Sequence, residues 1–268
     1  MKKFLVLFLL IVLCFSVFPL LSRVGSAKEP VNSDVNKDSL GSDSELISED
    51  VKKTYPDSIY FAFGDSITYG ADYSLGYDQM KYPYPTLVSS LLNFSSFRNY
   101  GISGSTIATD VDSLPSIYDQ CLSATNGADI VSVMGGVNDY NRNVEIGSLS
   151  DTDTFTFCGS LKAICETLLN KYPDSFIFLM TPYKEDCYHE FSCTEPNSAG
   201  YNLEDYANAV KTVADFYDLP VLDMYNDGQY EVEMYNSSSD GIHPSQEFFR
   251  EYTAPQIAEF IRQNYRGK

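Results

Sequence analysis

Apolar residues fall along this chain in two alternating modes. Short runs are apolar almost without interruption: Ser58 to Phe63 ("SIYFAF"), Phe97 to Tyr100, Asp129 to Met134 ("DIVSVM"), Ser175 to Met180 ("SFIFLM") and Leu219 to Asp223. Such runs predict strands buried on both faces, as in a parallel sheet. Between them apolar positions recur at steps of three and four. Leu161, Ile164, Cys165, Leu168 and Leu169 mark one helix. Leu203, Tyr206, Ala207, Val210, Val213, Ala214 and Tyr217 mark another, with Asn202 and Asp205 spaced as a capping box at its start. Phe248, Phe249, Tyr252, Ile257, Phe260 and Ile261 predict a C-terminal helix interrupted near Pro255. Strand and helix in alternation predict βαβ units. The expected fold is therefore α/β, a three-layer α/β/α sandwich around a central parallel sheet of about five strands. Right-handed crossovers then put the carboxyl ends of the strands on one edge, where ligands bind in such folds.

Two segments stand outside this pattern. Residues 1–27 run from Lys2 and Lys3 through a long apolar stretch to "GSA", the order of a secretory signal peptide cleaved after Ala27. The stretch from Phe4 to Leu21 approaches the length of a membrane span, so a retained anchor is the alternative. Residues 28–55 are rich in Ser, Asp, Asn and Lys, without an apolar period, and predict a flexible linker. Residues 56–268 then form one domain, long enough for a substantial core.

Charge narrows the partners. The chain holds 18 Lys and Arg against 37 Asp and Glu. Loss of residues 1–27, which hold Lys2, Lys3 and Arg23 and no acid, takes the formal charge from −19 to −22. A surface this acidic repels nucleic acid and anionic headgroups, so neither nucleic-acid binding nor membrane insertion beyond the leader is expected. Five cysteines follow the leader, an odd number that leaves at least one unpaired or bonded between chains. Cys165 lies on a helical core stripe and reads as a small buried hydrophobe. Cys187 and Cys193 bracket a loop and are expected to form a local disulfide. No cysteine pair has metal-site spacing, and neither metal nor cofactor is expected.

The polar loops after the strands carry the candidate chemistry. "GDSITYG" follows the first, "GISGST" the second, "GGVNDY" the third, and "SSSDGIHPS" comes near the C-terminus. Each alone reads equally as a turn. Together they offer complementary groups. Ser66 has a hydroxyl that becomes nucleophilic when a base takes its proton. His243, three residues after Asp240, has the spacing for a carboxylate to hold one ring nitrogen while the other faces Ser66. The Ser66 N–H, the Gly104 N–H and the Asn138 side-chain amide are candidate donors to an oxyanion. Asp65 is expected to buttress its loop and Asp139 to act at most indirectly. His189 is placed to reach the rim of a cleft or to sit exposed in its loop.

These blocks, "FGDSITYG", "NYGISGST", "GGVNDY" and "DGIHP" in that order, resemble those of the SGNH hydrolases, also called GDSL esterases and lipases. The likeness runs from about Ser58 to the C-terminal helix. It implies a flavodoxin-like sandwich with Ser66 as nucleophile and His243 as base oriented by Asp240. It also implies an oxyanion hole of Ser66, Gly104 and Asn138. Val137 departs from the small polar residue common before the Asn. The family includes secreted polysaccharide deacetylases, so the resemblance implies a small acyl ester substrate, foremost an O-acetyl sugar or cell-wall glycan. A short-chain lipid or lysophospholipid ester is the rival, and a non-catalytic glycan-binding module a further one. The many aromatics (21 Tyr, 17 Phe, no Trp) include a tyrosine-rich stretch, "YGADYSLGYDQMKYPYP", just after Ser66. Tyrosines there suit sugar stacking as well as ordinary packing.

Overall fold

The computed structural model describes residues 53–184, 194–228 and 240–267. The leader, nearly all of the linker, His189, Cys187 and Cys193 lie outside the described residues.

Five strands form one parallel sheet: β1 (Ile59–Gly64), β2 (Ser96–Asn99), β3 (Ile130–Met134), β4 (Phe176–Met180) and β5 (Val221–Leu222), in the spatial order β2-β1-β3-β4-β5. The largely apolar runs of β1, β3 and β4 have a simple cause. Because strand side chains alternate in direction, Phe61, Phe63, Val131, Val133, Ile177 and Leu179 feed one buried cluster. Tyr60, Ala62, Ile130, Met134, Phe178 and Met180 feed a second cluster. The first is shared with helices α3 (Ile117–Ser123), α5 (Phe157–Lys171) and α6 (Leu203–Phe216). The second is shared with α2 (Tyr84–Leu92) and the C-terminal helix Ala254–Asn264. Helices cover both faces, and the three-layer α/β/α sandwich with a five-stranded parallel sheet is what the pattern predicts.

Local details follow from the residues. Asn202 and Asp205 form the expected capping box at the start of α6. Cys165 is fully buried on α5, as its stripe predicts. One detail of the sheet differs from the sequence reading. β2 is an edge strand with half-buried and exposed positions, not one covered on both faces: Phe97 packs against the second cluster while Ser96 and Arg98 are exposed. The C-terminal helical region is interrupted near Pro255, as expected: a π-helical turn at Phe249–Thr253, closed by the Ala254 amide donating to the Phe249 carbonyl, immediately precedes Pro255 in Ala254–Asn264. The domain also reaches back past the linker's expected end. Tyr55 is buried, its amide donates to the Leu92 carbonyl at 2.8 Å and its hydroxyl to the Tyr265 carbonyl at 3.0 Å.

All five strands run the same way, so the Gly-rich loops after β1, β2 and β3 leave the same edge of the sheet. That edge holds the candidate site.

Candidate active site

β1 ends at Gly64, and Asp65 caps the four-residue helix α1 (Ser66–Tyr69) by accepting from the Ile67 amide at 2.9 Å. Ser66 is thereby the first residue of α1, a position whose N–H has no acceptor within its own helix. His243 Nε2 lies 2.9 Å from Ser66 Oγ, and His243 Nδ1 lies 2.7 Å from Asp240 Oδ2. Asp240 Oδ1 meanwhile accepts from the backbone amides of Ile242 (3.0 Å) and His243 (2.9 Å). Asp240 and His243 are thus locked to each other twice, through ring and backbone, on one tight turn. Burial pushes the Asp240 carboxyl up, but the hydrogen bonds from the His243 ring, the His243 amide and the Ile242 amide outweigh it. Its pKa ends below the usual carboxylate value, so the group is ionised at neutral pH.

The loop after β2 is drawn tight against α1. Asn99 Nδ2 donates to the Thr68 carbonyl at 2.7 Å, and the Ile102 amide to the Gly64 carbonyl at 3.1 Å. A Cβ on Gly101 would sit 2.3 Å from the Tyr69 backbone nitrogen, so only glycine permits this approach. Gly104 follows with φ +84°, in the left-handed region that glycine adopts without strain.

The loop after β3 brings Asn138 on α4 (Val137–Asn141) to the same region. Its Nδ2 donates to the Ser105 carbonyl at 3.0 Å, which ties the Asn138 amide to the residue after Gly104. That nitrogen carries two hydrogens, and Ser105 takes one. Asp139, fully buried, cements the joint: its two oxygens accept from the Ile107 (2.9 Å) and Ala108 (3.0 Å) amides. Burial pushes the Asp139 carboxyl up to about 7, against the pull of those two amides and with a push from the charge of Asp65. Burial likewise raises Asp65 to about 6, offset by the Ile67 amide and the charges of His243 and Arg142.

Ser66, His243 and Asp240 therefore form one hydrogen-bonded chain, and Asn138 is tied to the residue after Gly104. Asp65 caps a helix and is not the partner of the imidazole; Asp139 acts through backbone. Three further side chains stand beside these; Gln120 and Arg142 escaped sequence reasoning, and Tyr77 entered it only within the tyrosine-rich stretch after Ser66. Gln120, buried on α3, accepts from the Gly64 amide (3.2 Å) and donates to the Gly64 carbonyl (2.9 Å) and Ser105 Oγ (3.0 Å), joining the end of β1 to the Gly104 loop. Arg142 Nε pairs with Asp112 Oδ2 at 2.9 Å beside that loop. Tyr77 sets its ring 5.4 Å from that of His243. Nothing in the local pattern distinguishes these from ordinary helix and loop residues. Among the described residues no cluster of three or more His, Cys, Asp and Glu side chains is arranged to hold a metal ion.

The chain is similar to known proteins to differing degrees. A family model described as "GDSL-like Lipase/Acylhydrolase family" matches residues 62–250. A solved structure 30% identical to the chain superposes with a TM-score of 0.72, covering 79% of this chain and 99% of its own. A protein from Lactobacillus plantarum is 25% identical, with a TM-score of 0.67, over 79% of this chain and 99% of its own. A carbohydrate acetylesterase from Sinorhizobium meliloti shares the fold at 17% identity and a TM-score of 0.57, over 78% of this chain and all of its own. Comparison with curated protein sequences finds no match.

Proposed function

The chain belongs to the GDSL-like lipase/acylhydrolase family, and from that premise we propose that it is a secreted serine esterase that removes small acyl groups, foremost O-acetyl groups on carbohydrate, through an acyl-Ser66 intermediate. The observation that carries the reading is the hydrogen-bonded chain from Ser66 Oγ through the His243 ring to Asp240.

The chemistry follows from that chain. As Ser66 Oγ attacks the ester carbonyl, His243 Nε2 takes its proton, and the carboxylate of Asp240 stabilises the imidazolium and keeps the ring oriented. The carbonyl oxygen becomes an oxyanion, received by the Ser66 N–H, the Gly104 N–H and the second Nδ2 hydrogen of Asn138. Collapse breaks the bond to the alcohol oxygen, which leaves with the proton from His243. A water then gives its proton to His243 and attacks the acyl carbon. The second collapse releases the acid and returns the proton to Ser66 Oγ.

Support for the substrate class is of a different kind. The Sinorhizobium meliloti protein of the same fold is a carbohydrate acetylesterase. The leader-like residues 1–27 support export. The test is a panel of acetylated polysaccharides set against acyl esters of increasing chain length. Acetate release from the glycans, with activity falling as the acyl chain grows, is expected. Rates that rise with chain length, with no acetate released from any glycan, would replace this reading with that of a lipid esterase.

A further inference from the structure

The flank of the site beside His243 carries aromatic side chains that the steps of acyl transfer do not use. The Tyr77 ring lies 5.4 Å from the His243 ring at 69°, and the Tyr73 ring stands edge-on to Tyr77 at 5.5 Å. Both tyrosines are close to half exposed, as are Leu75 and, somewhat less, Tyr82. A concentration of exposed large apolar groups on one short stretch marks a binding surface more often than chance.

The loop that carries them is braced from within. Asp72 Oδ1 accepts from the Ser74 amide (2.8 Å) and hydroxyl (2.6 Å). The Asp72 carbonyl accepts from the Tyr77 amide at 2.9 Å, and the Asp72 amide donates to the Asp78 carbonyl at 3.1 Å. Ala71 and Gln79 form an antiparallel bridge, and the Met80 amide reaches the Gly70 carbonyl at 2.8 Å. Tyr77 is held at φ +67°, in the left-handed region. A bulky L-residue there costs on the order of 1 kcal/mol or more, where Gly or Asn would sit with little strain. The ring is thus presented at the cost of backbone strain, a pattern that concentrates at ligand-binding sites.

Its position specifies which part of the substrate it meets. The departing alcohol oxygen takes its proton from His243 Nε2 and must pass within hydrogen-bond reach of that atom. The body of the alcohol therefore extends along the His243 flank, where Tyr77 lies. We infer that Tyr77, braced by Tyr73, is the platform for the leaving-group alcohol, and that this alcohol is a neutral pyranose of an acylated glycan. A half-exposed aromatic ring with a polar hydroxyl edge suits a ring that has apolar faces and a rim of hydroxyls. An alkyl chain gains mainly from enclosure on all sides, which exposed rings do not give. The formal charge of −19 weighs against anionic alcohols.

This inference rests on the esterase reading, and the experiment separates the two. One acyl group is kept and the alcohol varied: an acetylated xylo-oligosaccharide, octyl acetate and trifluoroethyl acetate. The readout is the kcat/KM of each of the first two relative to trifluoroethyl acetate, in the wild type, Tyr77→Gly, Tyr77→Phe and Tyr73→Ala. Tyr77→Gly suits the backbone angle while removing the ring. It is expected to lower the sugar ratio about 10-fold, through KM, with a smaller drop for Tyr73→Ala and near-wild-type values for Tyr77→Phe. A sugar ratio indifferent to Tyr77→Gly overturns the platform and leaves the esterase standing. So does an octyl ratio that falls as far as the sugar ratio, which would assign the surface to aliphatic alcohols. A wild-type protein that hydrolyses none of the three acetates overturns both readings.

Discussion

Ser66 and His243, 177 positions apart in the chain, meet at 2.9 Å between Oγ and Nε2. Ser66 opens a helix capped by Asp65 at the end of a central strand, and His243 is fastened to Asp240 through both ring and backbone. A hydroxyl held within hydrogen-bond reach of an oriented imidazole is what proton transfer requires.

The first prediction concerns Asp240. Asn in its place retains the size but loses the charge, and allows the His243 ring to settle in the wrong tautomer. Asp240→Asn is expected to lower kcat on the order of 10³-fold or more, with an unfolding midpoint close to wild type. Steady-state kinetics beside a denaturation curve checks this. Near-normal turnover would mean that the imidazole needs no carboxylate here.

Asn138 is expected to act through the amide hydrogen that Ser105 leaves over. Asn138→Ala removes that donor and should lower kcat about 10²-fold or more while KM changes little, because an oxyanion exists only after attack. A loss confined to KM would show that Asn138 holds the ground state instead.

The buried Asp139 ties stability to pH. Its native pKa of about 7 exceeds the unfolded value of about 3.9, so between those limits the native state holds the extra proton. Stability from this group is therefore highest at the acid end and declines as pH rises from about 4 to about 7, then levels off. Asp65, raised to about 6, adds to the same trend. Urea midpoints measured from pH 4.5 to 7.5 should fall more steeply in the wild type than in Asp139→Asn. Parallel curves would contradict the assignment. The variant should also be less stable by about 1–3 kcal/mol at its best pH, since a carboxamide cannot accept from both the Ile107 and Ala108 amides.

The fold was legible because a strand covered on both faces must be almost wholly apolar, and β1, β3 and β4 are, with Ser132 in β3 paired to the Tyr60 hydroxyl. β2 differs from the expectation of burial on both faces: its sequence, Ser96-Phe97-Arg98-Asn99, offers a single apolar side chain, and only half-buried and exposed positions result. In the site, the contact of Ser66 with His243 and of His243 with Asp240 was legible because each residue sits in a short motif whose spacing has a chemical meaning. Gln120 was not, because its role depends on meeting Gly64 and Ser105 across elements distant in the chain. Tyr77 was visible only as one of many tyrosines. What singles it out, φ +67° and contact with His243, is a property of the folded chain.

The most direct test of the account is covalent. The protein is treated with a serine-directed phosphonate and digested, and the peptides are read by mass spectrometry alongside Ser66→Ala and His243→Ala. The account predicts one adduct on Ser66, absent from Ser66→Ala and formed far more slowly in His243→Ala. No adduct on Ser66, together with ester hydrolysis that persists in Ser66→Ala, would contradict it.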